Sequence, residues 1–265
     1  MKKTRIIPRL DIKGPNLVKG IQMEGLRKLG DPHIFATRYY EQGADELIYI
    51  DIVASLYGRN NLTEIVRRTV KDIFIPITVG GGVRCIDDIR NLLCCGADKV
   101  AINTAAIKEP RLIKEAAQIF GSQCIVASIQ VKKIKENKWE AYIDNGRERT
   151  GIDAFEWALE TVELGAGEIL VTSVDKEGLK KGYDVEIIRK IADAVPIPVI
   201  ACGGAGKSED FITVIQEGHV DAVSAASIFH YGLSSLTDVR EALLRAGIPI
   251  RRYNKTLSDD ISSYH

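Results

Sequence analysis

The chain repeats one sequence unit after about 120 residues, and this repeat restricts the folds that it can adopt. Residues 75–84 read IPITVGGGVR, and residues 197–206 read IPVIACGGAG. Further upstream, GADELI at 43–48 is matched by GAGEIL at 165–170 in the same register. Two matches in one register are better explained by a duplicated unit than by chance. Each copy carries an apolar run that ends in adjacent glycines.

Short apolar, β-branched runs alternate along the chain with longer stretches of helical period. The expected strands are 5–11, 47–53, 75–79, 99–103, 124–130, 168–173, 198–202 and 221–225. The expected helices are 31–42, 61–71, 86–95, 109–119, 152–164, 184–194, 208–217 and 236–246. Several strands are continuous apolar runs, which is typical of parallel strands covered by helices. Eight such units predict an α/β fold of the closed (β/α)8 TIM-barrel type, with an open doubly wound sheet as the alternative.

The duplication favours the closed barrel, because two equivalent halves of four units complete a ring. We therefore predict a single domain over 1–253, with half-barrels at about 4–120 and 121–250. The polar, aperiodic tail at 254–265 is expected to be disordered.

Composition is that of an ordinary globular protein and excludes several classes of function. Hydrophobic residues make up 45% of the chain and charged residues 27%. The 36 basic and 36 acidic residues cancel, which gives no bulk attraction to nucleic acid or to a membrane. The N-terminus lacks the apolar stretch of a signal peptide, so we expect a cytoplasmic protein. The five cysteines have no spacing typical of a zinc or redox site, which predicts reduced thiols and neither a metal nor another cofactor.

The glycine loops of the two copies are candidate phosphate sites: Gly81 with Gly82, and Gly203 with Gly204. Glycine lets backbone N–H groups approach a phosphate closely, and the helix N-terminus that follows adds positive potential. The alternative is that each glycine pair only makes a tight turn. Four residues after the fourth and eighth strands could add further donors: Asn103, Thr104, Ala226 and Ser227. Two such loops facing each other predict a long ligand with a phosphate at both ends.

Two hairpin-sized insertions, 13–30 and 131–150, follow the first strand of each half. Loops after barrel strands lie on the face where barrel active sites form. Lys19, in the first insertion, could reach a phosphate or a developing negative charge, or could be an ordinary solvated lysine.

Asp11 ends the first expected strand, where its carboxylate would reach the barrel mouth and could act as a general acid or base. The alternative is a carboxylate that caps or pairs with a nearby loop. The repeat aligns Asp11 with Gln130, whose amide can hydrogen-bond but cannot take up a proton near neutral pH. A second carboxylate, Asp51, ends the second strand and aligns with Ser173.

At the opposite ends of the strands, four charges alternate in sign: Arg5, Glu46, Lys99 and Glu168. Charges at the bottom of a barrel usually serve stability, solubility or a subunit contact, and these four could form a ring across the base. None of the four histidines belongs to a nucleophile motif, and we expect each at the surface: His33, His219, His230 and His265.

Over residues 4–250 the sequence resembles the HisF family, the cyclase subunits of imidazole glycerol phosphate synthase. The segments that carry the resemblance are 10–11 with 17–20, 43–47, 79–82, 96–105, 121–124, 165–168, 201–207 and 226–230. The resemblance implies a half-barrel-duplicated fold without a metal or redox cofactor. It also implies a heterodimer with a HisH-type glutaminase, which docks at the base and sends ammonia through the barrel.

The implied reaction belongs to histidine biosynthesis. Ammonia and a bis-phosphorylated aminoimidazole-carboxamide ribonucleotide give imidazole glycerol phosphate and 5-aminoimidazole-4-carboxamide ribonucleotide. By resemblance, Asp11 is a catalytic acid/base, Lys19 contacts the substrate, and Asp98 faces the partner. The resemblance also implies that the four charges at the bottom of the barrel, Arg5, Glu46, Lys99 and Glu168, form the gate for ammonia. Six residues fall at binding positions: Asn103, Thr104, Thr172, Gly178, Gly204 and Ser227.

The sequence departs from the family pattern at three places, two of which lie near the chemistry that the resemblance implies. Gln130 replaces a second catalytic aspartate, Arg9 replaces a cysteine, and Glu177-Gly178-Leu179 replaces Asp-Gly-Thr. In these departures the sequence resembles second-copy paralogues that are found with surface-polysaccharide genes. Those paralogues are thought to use channelled ammonia to convert an acetamido group on a sugar into an amidine. A catalytically silent subunit that activates the glutaminase is a third hypothesis. A generic bis-phosphate isomerase is disfavoured, because it also needs two carboxylates.

Overall fold

The computed structural model describes residues 3–54 and 62–253. The strands of this described part are β1 (Arg5–Lys13), β2 (Asn16–Ile21), β3 (Glu24–Gly30), β4 (Leu47–Asp51), β5 (Ile77–Gly80), β6 (Lys99–Ile102), β7 (Ile125–Lys135), β8 (Lys138–Ile143), β9 (Glu148–Asp153), β10 (Glu168–Ser173), β11 (Val199–Cys202) and β12 (Ala222–Ala225). Its helices are α1 (Pro32–Glu41), α2 (Leu62–Thr69), α3 (Ile86–Cys94), α4 (Thr104–Lys108), α5 (Arg111–Phe120), α6 (Ala154–Glu163), α7 (Val185–Ala192), α8 (Ser208–Gly218), α9 (Ser227–His230) and α10 (Leu236–Arg245). The tail expected at 254–265 lies outside the described residues.

Eight of the strands form a closed parallel barrel in the order β1, β4, β5, β6, β7, β10, β11 and β12. The last strand pairs in parallel with the first, and Arg5 lies opposite Ala222. The two halves meet at the β6–β7 pairing, where Val100 lies opposite Ile125. The prediction of a (β/α)8 barrel is therefore confirmed, and the open sheet is excluded.

The first strand of each half continues beyond the barrel into an antiparallel hairpin. Asp11 pairs with Val18 across the first hairpin, and Gln130 pairs with Tyr142 across the second. Asp11 is thus not the last residue of its strand, because pairing with β2 extends β1 to Lys13. Both insertions form the expected hairpins, which project from the carboxyl ends of the barrel strands.

Apolar side chains pack in two layers. One layer lies between the strands and the helices, and the other fills the barrel interior with Ile7, Ile48, Leu170 and Ile200 among its members. This is the arrangement that continuous apolar strands predict, since both of their faces are covered. Among the described residues, no helix is long and apolar enough to cross a membrane.

Local sequence explains where several helices begin. Asp31 caps α1 by accepting a hydrogen bond from the backbone N–H of His33 at 2.9 Å, and Pro32 fits the first turn. The helix expected at 109–119 is α5 (Arg111–Phe120), and a short helix that was not expected, α4 (Thr104–Lys108), ends just before Pro110. Proline has no N–H to donate, so it interrupts one helix and suits the start of the next.

Candidate active site

A buried chain of four charges occupies the mouth of the barrel, at the carboxyl ends of the strands. Arg9 Nε donates to Asp11 Oδ1 at 2.8 Å, and Lys19 Nζ donates to Asp11 Oδ2 at 3.0 Å. Lys19 also forms an ion pair with Glu177, in the segment after β10. All four residues are buried, and Lys19 is only 1% exposed. Along the hairpin, Lys19 follows Val18, the residue that pairs with Asp11.

These contacts decide the protonation state of Asp11. Burial alone would raise its pKa, but the cations of Arg9 and Lys19 outweigh burial and hold the pKa well below its usual range. Burial likewise opposes the charge on Lys19, and the carboxylates of Asp11 and Glu177 nevertheless raise its pKa above the ordinary value. Asp11 is therefore a carboxylate at neutral pH, able to accept a proton or to stabilise positive charge. Lys19 is not the solvated loop lysine that one interpretation of the sequence allowed.

Arg9 extends this chain across the barrel interior. Its Nη1 donates to Thr172 Oγ1 at 3.2 Å and lies 3.6 Å from Cys202 Sγ. One guanidinium thus joins the carboxylate of β1 to side chains of β10 and β11. Thr172, a predicted binding residue, is fully buried in this contact.

The first glycine loop lines a cavity of about 410 Å3. A Cβ on Gly81 would collide with the carbonyl oxygen of Asp51, and Gly81 and Gly82 have φ angles of 95° and 70°. Glycine is therefore required by the turn itself, which was the alternative to a phosphate-binding role. The cavity nevertheless holds many of the predicted first-half site residues, and it adds two cations. Its lining includes Asp51, Gly81, Gly82, Asn103, Thr104 and Gln130, together with Arg84 and Lys108.

The second hairpin covers one side of this cavity. Gln130 Oε1 accepts a hydrogen bond from the backbone N–H of Gly146 at 2.7 Å, which ties the hairpin tip to the barrel strand. Asn103 Nδ2 donates to the carbonyl oxygens of Ser128 at 2.9 Å and Tyr142 at 3.2 Å. Gln130 therefore has a structural partner at the position where a second acid/base group was considered.

The second glycine loop is packed differently. Gly203 and Gly204 are buried, and the N–H of Gly182 donates to the carbonyl oxygen of Gly204 at 2.9 Å. A Cβ on Gly204 would collide with the carbonyl oxygen of Gly182, so the segment 174–183 lies directly against this loop.

A second cavity, of about 460 Å3, lies beside this segment and beneath the first hairpin. It brings together Lys19, Gly178 and Ser227 of the predicted site, and Lys180 and Tyr231 also line it. Ala226, like Gly203 and Gly204, is buried and does not line this cavity. In the described structure, the second-half binding residues are thus divided between a cavity wall and the packing beneath it.

At the opposite end of the barrel the four predicted base charges meet. Arg5 Nη1 lies 2.6 Å from Glu46, and Arg5 also pairs with Glu168. Lys99 Nζ lies 3.1 Å from Glu46 and 2.8 Å from Glu168. Each cation thus contacts both carboxylates, which makes the ring that the alternating signs predicted. The two carboxylates raise the pKa of Arg5 against the effect of burial.

Asp98 belongs to a set of three aspartates at the same end of the strands. Its Oδ2 accepts from the backbone N–H of Ile77 at 2.8 Å. Asp45 and Asp221 make equivalent contacts, each at 2.9 Å, with the N–H groups of Ile6 and Val199. Asp98 is exposed, so a strand-end role leaves it accessible at the base.

Comparison with known proteins identifies this arrangement. The sequence profile described as "Histidine biosynthesis protein" matches residues 5–235. A protein of Legionella pneumophila named "Imidazole glycerol phosphate synthase subunit HisF" is 59% identical over 211 residues, which are 80% of this chain and all of that relative.

The chain belongs to the HisF family.

The structure shows that the expectation for His230 is wrong. His230 is not at the surface: it is buried, and its Nδ1 lies 2.6 Å from the hydroxyl of Tyr39. Burial lowers the pKa of His230 to about 3, so the ring is neutral at physiological pH. No apolar periodicity in the sequence could predict this burial, because α9 is a helix of only four residues.

Two site residues escaped the sequence analysis. Glu177 was noted only as a departure from a family motif, yet it pairs with Lys19 in the buried chain of charges. Asn145 was not among the expected site residues, yet it is buried and lines the first cavity. Both lie on segments whose position depends on the hairpins rather than on the barrel repeat.

Proposed function

We propose that this protein is the cyclase subunit of an imidazole glycerol phosphate synthase, supplied with ammonia by a HisH-type glutaminase. The observation that carries the proposal is 59% identity across the full length of the Legionella relative of that name. The acceptor would be a bis-phosphorylated aminoimidazole-carboxamide ribonucleotide. The products would be imidazole glycerol phosphate and 5-aminoimidazole-4-carboxamide ribonucleotide, as in histidine biosynthesis.

The features at the two ends of the barrel support substrate binding at the mouth and ammonia entry at the base. The glycine loops and their cavities lie at the mouth, where Gly81 and Gly82 with Arg84 and Lys108 suit one phosphate. Gly178 and Ser227, with Lys180 nearby, suit the other. In this proposal Gly203 and Gly204 shape the second site from beneath, and Asn103, Thr104 and Thr172 complete the binding surfaces.

The base ring supports entry of ammonia from the opposite end. Arg5, Glu46, Lys99 and Glu168 form a closed set of ion pairs around the barrel axis, beneath the apolar interior. A neutral molecule crosses such an interior at less electrostatic cost than an ammonium ion. The ring would act as the gate, and the exposed Asp98 would face the glutaminase.

At the mouth, Asp11 would act on the acceptor as a carboxylate. Its two oxygens contact Arg9 and Lys19, so it enters the reaction ionised. The two cations make it a weak base, so its main part would be to stabilise the positive charge that develops on nitrogen as ammonia attacks, while Lys19 stabilises negative charge that develops on the acceptor. Gln130 can only orient a group, since an amide does not titrate near neutral pH.

A second candidate function is favoured by one observation. Both oxygens of Asp11 are engaged by cations, and the oxygen of Gln130 is engaged by Gly146, so the mouth lacks a second titrating carboxylate at that position. Channelled ammonia would then be used on a different acceptor, with conversion of an acetamido group on a sugar into an amidine.

Turnover with ammonium salts separates the two candidates. We would compare the wild-type chain with Gln130→Asp on the bis-phosphate acceptor, and use Gln118→Asp, on the exposed face of α5, as the matched control. Clear wild-type turnover supports the cyclase. Turnover that appears only in Gln130→Asp supports the second candidate, and absence of turnover in all three contradicts the cyclase.

The glutaminase partner has its own test. Titrating a HisH-type glutaminase with this chain should raise glutamine hydrolysis and allow glutamine to replace ammonium salts in turnover. Increased hydrolysis without turnover of any acceptor would favour a silent, glutaminase-activating subunit. Unchanged hydrolysis and no complex in gel filtration would contradict the partnership.

A further inference from the structure

The tip of the second hairpin places an unsatisfied amide against the first cavity. Asp144, Asn145 and Gly146 have consecutive φ angles of 50°, 58° and 75°, all left-handed. This turn directs the hairpin back over the barrel, where Gly146 is held by Gln130. As a result Asn145 is only 7% exposed and lines the cavity together with Gln130 and Gly82.

Both polar atoms of the Asn145 side chain, Oδ1 and Nδ2, are buried without a hydrogen-bond partner in the described structure. Asn103, on the same cavity wall, shows the usual case, since its Nδ2 donates to two carbonyl oxygens. Buried polar groups in folded proteins nearly always have partners, and an unsatisfied one carries a desolvation penalty. An unsatisfied amide on a residue that lines a cavity has a natural explanation if a ligand bound in that cavity completes its hydrogen bonds.

The chemistry of the amide indicates which part of a ligand it would meet. An asparagine side chain both donates and accepts, whereas a phosphate can only accept. The neighbouring carboxylate of Asp144, which also lines the cavity, further disfavours an anion at this place. Arg84 and Lys108 lie elsewhere on the lining and suit the phosphate instead. The ligand group that matches Asn145 is therefore neutral and carries both a donor and an acceptor, as an amide does.

We propose that Asn145 is a specificity-determining residue, which hydrogen-bonds a neutral carboxamide of the ligand while the first glycine loop holds its phosphate. The inference rests on the proposed function for the identity of that ligand. The juxtaposition of a donor–acceptor side chain with the glycine loop gives the cavity a way to select among sugar phosphates. A sugar phosphate that lacks a carboxamide would contact the glycine loop but would not hydrogen-bond Asn145.

Two small ligands that share a phosphate test this directly. 5-Aminoimidazole-4-carboxamide ribonucleotide carries the carboxamide, and ribose 5-phosphate lacks it. Calorimetry of the wild-type chain should show tighter binding of the carboxamide ligand. Asn145→Gly, which removes the amide without strain at a positive φ, should weaken binding of the carboxamide ligand by about tenfold and leave binding of ribose 5-phosphate unchanged.

Controls distinguish recognition from a structural role. Asn145→Ala also removes the amide without adding a charge and should behave as Asn145→Gly does. Asn137, on the same hairpin, also has a left-handed φ of 55° but is exposed, so Asn137→Gly should change the binding of neither ligand.

Three outcomes would overturn the inference. The wild-type chain could fail to distinguish the two ligands, both ligands could weaken together in the Asn145 variants, or neither could weaken. Failure of the proposed function is read separately, from turnover of the bis-phosphate acceptor.

Discussion

The two ends of the barrel each carry two cations and two carboxylates, but they are connected in different ways. At the base, every cation contacts both carboxylates in a closed ring, and Arg5 and Lys99 are 23% and 18% exposed. At the mouth, the contacts run in an open chain from Arg9 to Glu177. No side chain of that chain is more than 5% exposed.

The difference indicates how much stability is lost when one charge of each group is removed. In a ring, loss of one carboxylate leaves both cations with a second partner and with access to water. In the buried open chain, loss of Lys19 leaves Glu177 without a cation and leaves Asp11 with Arg9 alone. Removing the partner of a buried charge lowers the stability of the fold strongly, whereas removing the partner of a partly exposed charge lowers it much less.

The largest effect is expected at the centre of the mouth. Lys19→Met should lower the free energy of unfolding by about 3–5 kcal/mol, because it leaves Glu177 buried without a cation and removes one of the two cations that contact Asp11. Denaturant unfolding measures this change. Lys13→Met, at the exposed end of β1, is the matched control and should have little effect. A change at Lys19 no larger than at Lys13 would mean that the mouth is hydrated, and the contrast between the ends would disappear.

A second prediction concerns acid pH, which should lower the free energy of unfolding because His230 at the mouth is buried and neutral. Its folded pKa, about 3, lies below its unfolded value, so the unfolded chain binds the proton more readily. The stability from this residue is therefore complete above about pH 6.5 and is lost as the pH falls toward 3. The expected slope is about 1.4 kcal/mol per pH unit across that window.

Unfolding of His230→Gln at a series of pH values should lack this part of the slope. Gln118→Asn, at an exposed site of α5 without a titrating side chain, is the control and should keep the wild-type slope. Parallel curves for all three proteins would show that His230 is protonated in the folded state.

The base ring should be more tolerant of change. Glu168→Gln should cost about 1–2 kcal/mol, because Arg5 and Lys99 both keep Glu46 as a partner. Glu46→Gln should cost a similar amount, and the double variant should cost more than the sum, because neither cation then has a carboxylate. Strict additivity in a double-mutant cycle would argue against a coupled ring.

The smallest effect is expected where both partners are exposed. Lys133 Nζ lies 2.6 Å from Glu186, but both side chains are largely in water. Glu186→Gln should cause no resolvable shift in the thermal unfolding midpoint, because solvent and salt already screen the pair. A clear destabilisation here would show that distance, rather than burial, ranks the ion pairs of this protein.

The base ring could be predicted from the sequence because it follows the repeat. Arg5, Lys99 and Glu168 each begin a barrel strand and Glu46 immediately precedes one, so a single alignment of the repeated units places all four at one end. The barrel itself was predictable for the same reason, since a duplicated set of eight units leaves few alternatives.

The mouth could be predicted only in part. The sequence placed Asp11 there, but it left Lys19 as either a ligand contact or a solvated lysine. Its burial depends on the hairpin folding back over the barrel and on Glu177 arriving from a distant loop. Asn145 depends on three successive left-handed residues. Such conformations are set by tertiary contacts, and no periodicity in the sequence records them.

Closure of the ring also has a consequence for synthesis of the chain. The β1 strand gains its β4 neighbour early, but its other edge pairs with β12, where Arg5 meets Ala222. That edge therefore has no partner until the ribosome has passed the end of β12. An unpaired strand edge can join to another chain, and closing so long a loop carries a high entropic cost. The nascent protein thus spends most of its synthesis with one open edge, which disappears only when its two terminal strands meet.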